Sequence, residues 1–325
     1  MTRKYWLALI SLVALCVLLA VFVFSGSPAP GAAGPGSSSA SAESESSSSA
    51  QAESEGASPA AETTDPTEAT EMELSLLAVN VGKADALLLR SGETAYLIDT
   101  GTKKSFDQLY RVLKEEGVNS LTGVILTHTD SDHVGGLKQL MESDLDIKAV
   151  YASAYYLLKD DKKKHPAVKA LKKSDLEVQF IRGGDRLPLD GGTLEVLGPL
   201  EESDDKDDNN SLVMLATGGG GSMLLAGDME FPEEESLLKA RAIPKADVLK
   251  VGNHGDDDAT SDALIQAVSP KVAVISTSTA EKADTPSPRV LRLLNSWKIA
   301  VLQTQETENG VLVTLRGGEI FTEMK

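Results

Sequence analysis

The segment that most restricts the fold and chemistry of this chain is residues 127–136, Thr-His-Thr-Asp-Ser-Asp-His-Val-Gly-Gly. Within six residues it carries four side chains that can bind a metal ion: His128, Asp130, Asp132 and His133. The apolar strand GVILT ends immediately before them, which predicts a loop that turns from a strand into a helix and can bring these side chains together. Gly135 and Gly136 would let the backbone approach its neighbours closely there.

The residue types in this segment indicate which metals it suits. Imidazole combined with carboxylate favours Zn, Mn or Fe over the all-oxygen ligands of a calcium site. Two of the four histidines in the chain lie here. Asp228 follows the apolar strand of MLLAGD and His254 follows that of LKVGNHG, so we expect both to join the same centre. The remaining histidine, His165, lies in the charged run DDKKKHPAVK and is expected to be a solvated residue at a helix start.

Short apolar strands alternate with amphipathic helices from residue 74 onward. The predicted strands are 74–80, 86–90, 94–98, 123–126, 149–152, 178–181, 193–197, 212–216, 223–225, 247–251 and 272–276, with three more reaching 321. The predicted helices are 106–116, 166–173, 233–242, 261–268 and 288–296, with another beginning at Gly136. Strands outnumber helices, yet the alternation persists. This predicts two packed sheets with helices outside, a layered α/β fold.

The first 72 residues differ in composition from the rest. Arg3 and Lys4 precede an unbroken apolar stretch over residues 5–24, which is long enough to cross a bilayer as a helix. Positive charge before such a stretch keeps the N-terminus inside and directs the remainder outward. We therefore expect residues 1–25 to be a signal anchor, although the small residues that follow leave a cleaved signal peptide open. Residues 26–72 are predicted to be a disordered linker rich in Ser, Ala and Glu, followed by one domain over 73–325 at the extracellular face of the membrane, or secreted if cleavage occurs.

Cysteine content and charge exclude several classes of protein. The single cysteine, Cys16, lies in the apolar stretch, so disulfide scaffolds, cysteine-ligated zinc sites and cysteine nucleophiles are excluded. Residues 73–325 contain 41 acidic and 29 basic residues, a net charge of −12, which disfavours nucleic-acid binding through a broad basic face. Seven lysines between residues 159 and 173 form one local basic strip, which could equally be a solvated helix face.

Several segments, in order along the chain, resemble the hydrolase domain of ComEC-type competence proteins, which has the metallo-β-lactamase fold. THTDSDHVGG resembles the signature THxHxDHxGG, with Asp in place of the second His. AVNVGKADALLL is similar to the opening NVGQGDA segment, YLIDTG to the next strand and turn, and DNNSLVM to NNxSLVL. LLAGDME, LKVGNHG and PSPRVLRLL are similar to later segments of the family. The resemblance covers essentially all of residues 74–325.

The resemblance implies a four-layer αββα sandwich with two divalent metal ions, Zn or Mn. It implies that one ion is held by His128 and Asp130, that the other is held by Asp132, His133 and His254, and that Asp228 bridges them. A hydroxide bound to both ions would be the nucleophile, and Asp132 is the predicted catalytic residue. Five further residues are implied to lie near the ions or the substrate: Asp85, Asp99, Asn209, Asn210 and Lys250. Lys250 could instead be exposed at a strand start.

Two departures from the family pattern bear on the function. Asn253-His254 stands where the family has two histidines, so His254 could be a neighbour of the metal ligands and not a ligand itself. Lys83-Ala84 stands where the family has Gln-Gly. The resemblance predicts an extracytoplasmic phosphodiesterase or nuclease acting on a wall polymer, a lipid headgroup or DNA, with a separate membrane channel if it serves competence. The alternative is a catalytically degenerate, wall-exposed binding module of the same fold. A β-lactamase is disfavoured because Asp130 replaces the second His.

Overall fold

The computed structural model describes residues 72–155, 165–201 and 208–325. All of them belong to one unit of the chain, Ala61–Lys325. The predicted anchor, almost all of the predicted linker and four of the seven lysines between residues 159 and 173 lie outside the described residues. Within those three ranges, no helix combines the length and apolar character that a membrane span requires.

Seventeen strands alternate with seven α-helices in the described residues. The strands are β1 (Leu74–Val79), β2 (Leu87–Ser91), β3 (Thr94–Ile98), β4 (Ser120–Leu121), β5 (Gly123–Leu126), β6 (Asp146–Ile147), β7 (Val150–Ser153), β8 (Val178–Ile181), β9 (Arg186–Leu189), β10 (Gly192–Gly198), β11 (Val213–Gly218), β12 (Gly221–Leu225), β13 (Val248–Lys250), β14 (Val272–Ile275), β15 (Ala300–Gln303), β16 (Gly310–Arg316) and β17 (Glu319–Met324). The α-helices are α1 (Phe106–Glu115), α2 (Ser131–Val134), α3 (Leu137–Met141), α4 (Pro166–Ala170), α5 (Phe231–Lys239), α6 (Asp262–Val268) and α7 (Pro288–Ser296).

Two large sheets contain most of these strands. The first has eight strands in the order β17-β16-β1-β2-β3-β5-β7-β8, and the second has seven in the order β15-β14-β13-β12-β11-β10-β9. In each sheet a run of four strands is parallel, β3-β5-β7-β8 in the first and β12-β13-β14-β15 in the second. Strands β4 and β6 form a separate parallel pair.

Residue alternation along β1 explains why the sheets stack face to face. Leu74, Leu76 and Ala78 point into an apolar cluster shared by both sheets, whereas Leu77 and Val79 point into a second cluster shared with α1, α3 and α4. A strand with side-chain period 2 and apolar residues at nearly every position must be covered on both faces. A third cluster joins the second sheet to α5, α6 and α7. The molecule therefore has the layer order helix, sheet, sheet, helix, as expected.

The predicted elements differ from the structure at identifiable places. Strand β9 was not predicted, because Pro188 breaks its apolar pattern; the strand lies at a sheet edge, where proline is tolerated. The helix predicted from Gly136 is α3, which begins at Leu137, and a short helix that was not predicted, α2, lies before it at Ser131–Val134. The prediction that His165 is solvated is wrong: the side chain is 1% exposed and caps α4 by accepting a hydrogen bond from the Ala167 N–H.

A buried carboxyl group in α5 gives a stability prediction. Glu233 is 5% exposed, and neither of its side-chain oxygens has a hydrogen-bond partner among the described residues. Burial alone raises the pKa of Glu233 well above its usual value. The folded state therefore keeps a proton that the unfolded chain releases above about pH 4.5, so stability falls as the pH rises past that point.

Replacing Glu233 by Gln is expected to raise the free energy of unfolding at pH 8 by about 1 kcal/mol or more, since one pKa unit corresponds to about 1.4 kcal/mol. The gain should shrink towards pH 4.5. Urea unfolding across that pH range measures it, with Glu235→Gln, an exposed position of the same helix, as the control. A gain that is equal at both ends of the range would contradict the assignment of a buried, protonated Glu233.

Candidate metal centre

The ends of parallel strands bring the predicted ligands together. His128 follows β5, Asp228 follows β12, and His254 lies in a 3-10 turn, Gly252–Gly255, directly after β13. Parallel strands end at the same edge of their sheet, where side chains from successive loops meet. Gly135 and Gly136 are required beside them, because a Cβ at either position would lie within 2.4 Å of a backbone oxygen.

Three side chains form the innermost part of the cluster. His133 Nε2 lies 3.1 Å from Asp228 Oδ2 and 3.4 Å from His254 Nε2, and His254 Nε2 lies 3.2 Å from the same Asp228 oxygen. Asp132 Oδ2 is 3.5 Å from His254 Nε2. The histidine side chains are fully buried, whereas the Asp132 side chain is 25% exposed. The centre is therefore closed on the imidazole side and open at Asp132.

Each histidine uses its Nδ1 atom for a contact with the surrounding protein. His133 Nδ1 lies 2.7 Å from Asp99 Oδ2, and His254 Nδ1 lies 3.0 Å from the carbonyl oxygen of Ser276. His128 Nδ1 lies 3.0 Å from Thr127 Oγ1, whose own hydrogen is donated to Asp99. These acceptors favour a proton on each Nδ1, so that all three Nε2 atoms can offer a lone pair to a cation.

The carboxylates and imidazoles of the cluster shift one another's pKa values. Burial acts to raise the pKa of Asp228, but His133 and His254 outweigh it and hold that pKa well below its usual range. Burial likewise acts to lower the pKa of His133, but Asp228 and Asp99 outweigh it and raise the pKa well above 6.5. In the absence of a metal ion, protons thus balance the carboxylates, and a divalent cation would take their place.

The donor set fits a divalent metal ion. Asp228 is 4% exposed, and its Oδ1 atom has no hydrogen-bond partner among the described residues. Four groups of side chains in the described residues each bring three ligand atoms within 4.8 Å of one another, namely His128-His133-Asp228, Asp132-His133-His254, Asp85-Asp99-His133 and His128-Asp130-Asp208. Imidazole with carboxylate is a ligand set for Zn, Mn or Fe. Which of these residues bind metal stays a prediction.

Asp208 is a candidate ligand that the sequence interpretation missed. Its Oδ1 atom lies 3.7 Å from His128 Nε2. It begins a 3-10 turn, Asp208–Asn210, which is followed by Ser211, whose hydroxyl lies 3.1 Å from His128 Nδ1. The available signal was its position directly before the NNSLVM segment. Asp208 ends the acidic run EESDDKDD, however, and nothing in the sequence distinguishes it from its acidic neighbours.

Substituting Asp208 by Asn is expected to weaken metal binding on the His128 side of the cluster. The change removes a carboxylate near His128 and leaves His133, His254 and Asp228 intact. We expect the affinity for the more weakly bound ion to fall about 10- to 100-fold, the range known for groups around metal ligands. Calorimetric titration of Mn²⁺ into the stripped protein measures this, with Glu201→Gln as an exposed control in the same region. Loss of both ions, or of neither, would contradict the assignment.

The structure places Asp85 and Lys250 together beneath the centre. Lys250 is 0% exposed, and its Nζ atom lies 2.6 Å from Asp85 Oδ2. Burial acts to raise the pKa of Asp85, but Lys250, then His254 and His133, outweigh it and lower that pKa. The alternative, that Lys250 is exposed at a strand start, is wrong. Its ammonium faces a buried carboxylate, and Asp85 Oδ1 in turn lies 3.7 Å from His254 Nδ1.

The remaining predicted residues, Asn209 and Asn210, follow Asp208 in the same turn and contact neighbouring elements. Asn209 donates to Glu230 Oε2 over 3.0 Å, and the carbonyl oxygen of Asn210 accepts from Ser153. Asn253, which stands where the family has a histidine, donates to Asp258 Oδ1 over 3.2 Å. The Asn253 amide also contacts Glu230 Oε1, whereas His254 Nε2 contacts His133 and Asp228, so His254 is the residue of that pair that the fold brings to the centre.

Comparison with known proteins gives one family and several relatives. A sequence model described as the metallo-β-lactamase superfamily matches residues 79–279. ComE operon protein 3 of Bacillus subtilis (strain 168) is 28% identical over 265 residues, which cover 76% of this chain and 33% of that protein. Competence protein ComA of Neisseria gonorrhoeae is 28% identical over 246 residues, 74% of this chain and 32% of that protein. The chain thus spans about a third of the length of these relatives.

Solved structures also resemble this chain. The metallo-β-lactamase fold protein YhfI from Bacillus subtilis is 13% identical with a TM-score of 0.49, and the match covers 78% of this chain and 100% of that one. A putative metal-dependent hydrolase from Parabacteroides distasonis is 15% identical with a TM-score of 0.48, covering 72% of this chain and 94% of that one.

Proposed function

Because this chain belongs to the metallo-β-lactamase superfamily, we propose that it is a metal-dependent phosphodiesterase or nuclease. One observation carries the proposal: the Nε2 atoms of His133 and His254 and the Oδ2 atom of Asp228 lie within 3.4 Å of one another, and Asp228 Oδ1 has no hydrogen-bond partner in the described residues. A buried group of this kind is costly unless a cation or proton balances it.

Two divalent ions, Zn²⁺ or Mn²⁺, are the proposed cofactors. His133, His254 and Asp132 would hold one ion, His128, Asp130 and Asp208 would hold the other, and Asp228 would contact both. When bound, such ions lower the pKa of a coordinated water and stabilise negative charge on a phosphoryl oxygen. The share of carboxylates in this set makes Mn²⁺ a stronger candidate than in a histidine-rich centre.

The protein groups around the ligands have a positioning role in this proposal. Asp99 accepts hydrogen bonds from the Thr127 N–H and Thr127 Oγ1 and holds His133 Nδ1, so it fixes one imidazole through two neighbouring loops. Asp132 lies at the open side, where a substrate can reach it. Its pKa is lowered because contacts with His254 and His133 outweigh the effect of burial, which keeps it a carboxylate.

Location and partners are proposed from the sequence and the relatives. Arg3 and Lys4 before the apolar stretch favour a domain outside the cytoplasm, held by the N-terminal segment or released from it. The names of the relatives favour a competence-related role. A role in DNA uptake would use a separate membrane channel, because the single apolar stretch over residues 5–24 cannot form one. The net charge of −12 would repel a long polyanion such as DNA. Wall polymers and lipid headgroups therefore stay among the proposed diester substrates.

The test is a substrate panel on the metal-loaded full chain. We expect hydrolysis of a bis-aryl phosphodiester to exceed that of a chromogenic β-lactam by a wide margin, and Asp132→Ala to remove it. Hydrolysis of the β-lactam alone would overturn the phosphodiesterase proposal. Absence of turnover on every substrate, with either metal, would favour the binding-module alternative instead.

A further inference from the structure

The open side of the metal centre carries three acidic side chains. Asp130 is exposed, and the side chains of Asp132 and Asp208 are 25% and 21% exposed. A phosphodiester is itself an anion and would approach these carboxylates. Lys83 pairs with Asp132 on this side, with Nζ 3.5 Å from Asp132 Oδ2 and a side chain that is 19% exposed.

The backbone around Lys83 is fixed from both sides. Gly82 has φ +86°, and the Lys83 N–H donates to Glu281 Oε2 over 3.1 Å. Two residues later, the Asp85 N–H donates to the carbonyl oxygen of Asp132 over 3.2 Å. The backbone of Lys83 is therefore fixed beside the 128–133 loop, and from there its ammonium reaches Asp132.

The contact between Lys83 and Asp132 is weak enough to be exchanged. At 3.5 Å and partly open to water, such a pair contributes little to stability, typically 0–1 kcal/mol. If Asp132 turns to a metal ion, the Lys83 ammonium loses its partner at little cost. A phosphoryl oxygen of a substrate at the centre could then accept a hydrogen bond from the ammonium, and such a charge-assisted hydrogen bond is stronger than a neutral one.

We propose that Lys83 contacts a non-bridging phosphoryl oxygen of the substrate and is a specificity-determining residue for phosphodiesters. This inference rests on the proposed function, because it assumes that the substrate binds at the metal centre. The chain has Lys83 where the similar segment NVGQGDA of the family has Gln, and the proposal gives this lysine a role. Lys83 would act on the substrate and not as a metal ligand, so its removal should spare the ions.

The experiment compares the metal-loaded full chain with Lys83→Gln, Lys83→Arg and the control Lys138→Gln. Lys138 is an exposed lysine of α3 whose side chain is 74% exposed. Three quantities are measured: the dissociation constant of inorganic phosphate by calorimetry, kcat/KM on bis(4-nitrophenyl) phosphate, and the metal content of each sample. Lys83→Gln is expected to weaken phosphate binding and lower kcat/KM, each about 10- to 100-fold, with metal content unchanged. Lys83→Arg should restore most of both, and Lys138→Gln should match the wild type.

Three outcomes would overturn the proposal. The first is phosphate binding by Lys83→Gln within about twofold of the wild type, and the second is a wild type that binds no phosphate. The third is loss of metal by Lys83→Gln together with activity, which would mean that Lys83 only supports Asp132. Failure of the proposed function gives a different pattern: the wild type would not hydrolyse the diester, yet phosphate binding would still depend on Lys83.

Discussion

Replacing Asp228 by Asn is expected to lower kcat/KM on a phosphodiester by at least about 100-fold and to reduce the bound metal. Substitutions of groups that merely orient metal ligands already cost 10- to 100-fold, and Asp228 is a proposed ligand to both ions. The position of Asp228 explains the expected loss of activity. Its Oδ2 atom lies 3.1 Å from His133 Nε2 and 3.2 Å from His254 Nε2. An amide there removes the negative charge that balances the imidazoles and a cation.

Metal content by elemental analysis and turnover are measured on the same samples. Asp107→Asn, an exposed position at the start of α1, is the matched control and should leave both unchanged. Circular dichroism and urea unfolding distinguish loss of metal from loss of fold. A folded Asp228→Asn variant that binds two ions and turns over at the wild-type rate would remove Asp228 from the centre.

Replacing Lys250 by Met is expected to lower the free energy of unfolding by about 3–5 kcal/mol. The side chain is 0% exposed and neutralises Asp85, which is 1% exposed. Without Lys250 a carboxylate remains buried, 3.7 Å from His254 Nδ1 and with no lysine beside it. Urea unfolding of the stripped protein measures the loss, so that metal binding does not contribute.

The double variant Asp85→Asn with Lys250→Met is the informative control. Removing both charges should recover much of the loss, because replacing a whole buried pair is often close to neutral. Lys271→Met removes a surface lysine paired with Asp247 and should cost less than about 1 kcal/mol. Equal losses for Lys250→Met and Lys271→Met would contradict a buried Asp85–Lys250 pair.

The layered fold was predictable because local patterns determine it. Strands β3, β5 and β8 and helix α7 match their predicted bounds, since their apolar runs end at turn residues or caps. Helix α7, for example, begins with Pro288 after Ser287, whose hydroxyl accepts a hydrogen bond from the Val290 N–H. The 128–133 cluster was equally visible, because its ligands are adjacent in the sequence.

The parts of the site that the sequence did not predict depend on contacts between distant segments. Lys250 ends β13 and pairs with Asp85, which lies in the loop between β1 and β2. The sequence of β13 alone gives no sign of this carboxylate partner. Asp208 approaches His128 only through the turn before β11. His165 looks solvated in its charged run, yet its ring packs against Phe180 and caps α4. Local composition does not encode such pairings.

The most direct test of a metal-dependent hydrolase is to follow metal content and phosphodiester turnover together in the full chain, first stripped with a chelator and then titrated with Mn²⁺ or Zn²⁺. We predict no turnover in the stripped protein and turnover that rises in step with ions bound by the cluster. Turnover in protein from which all metal has been removed, or failure of the cluster to take up either metal, would contradict the account.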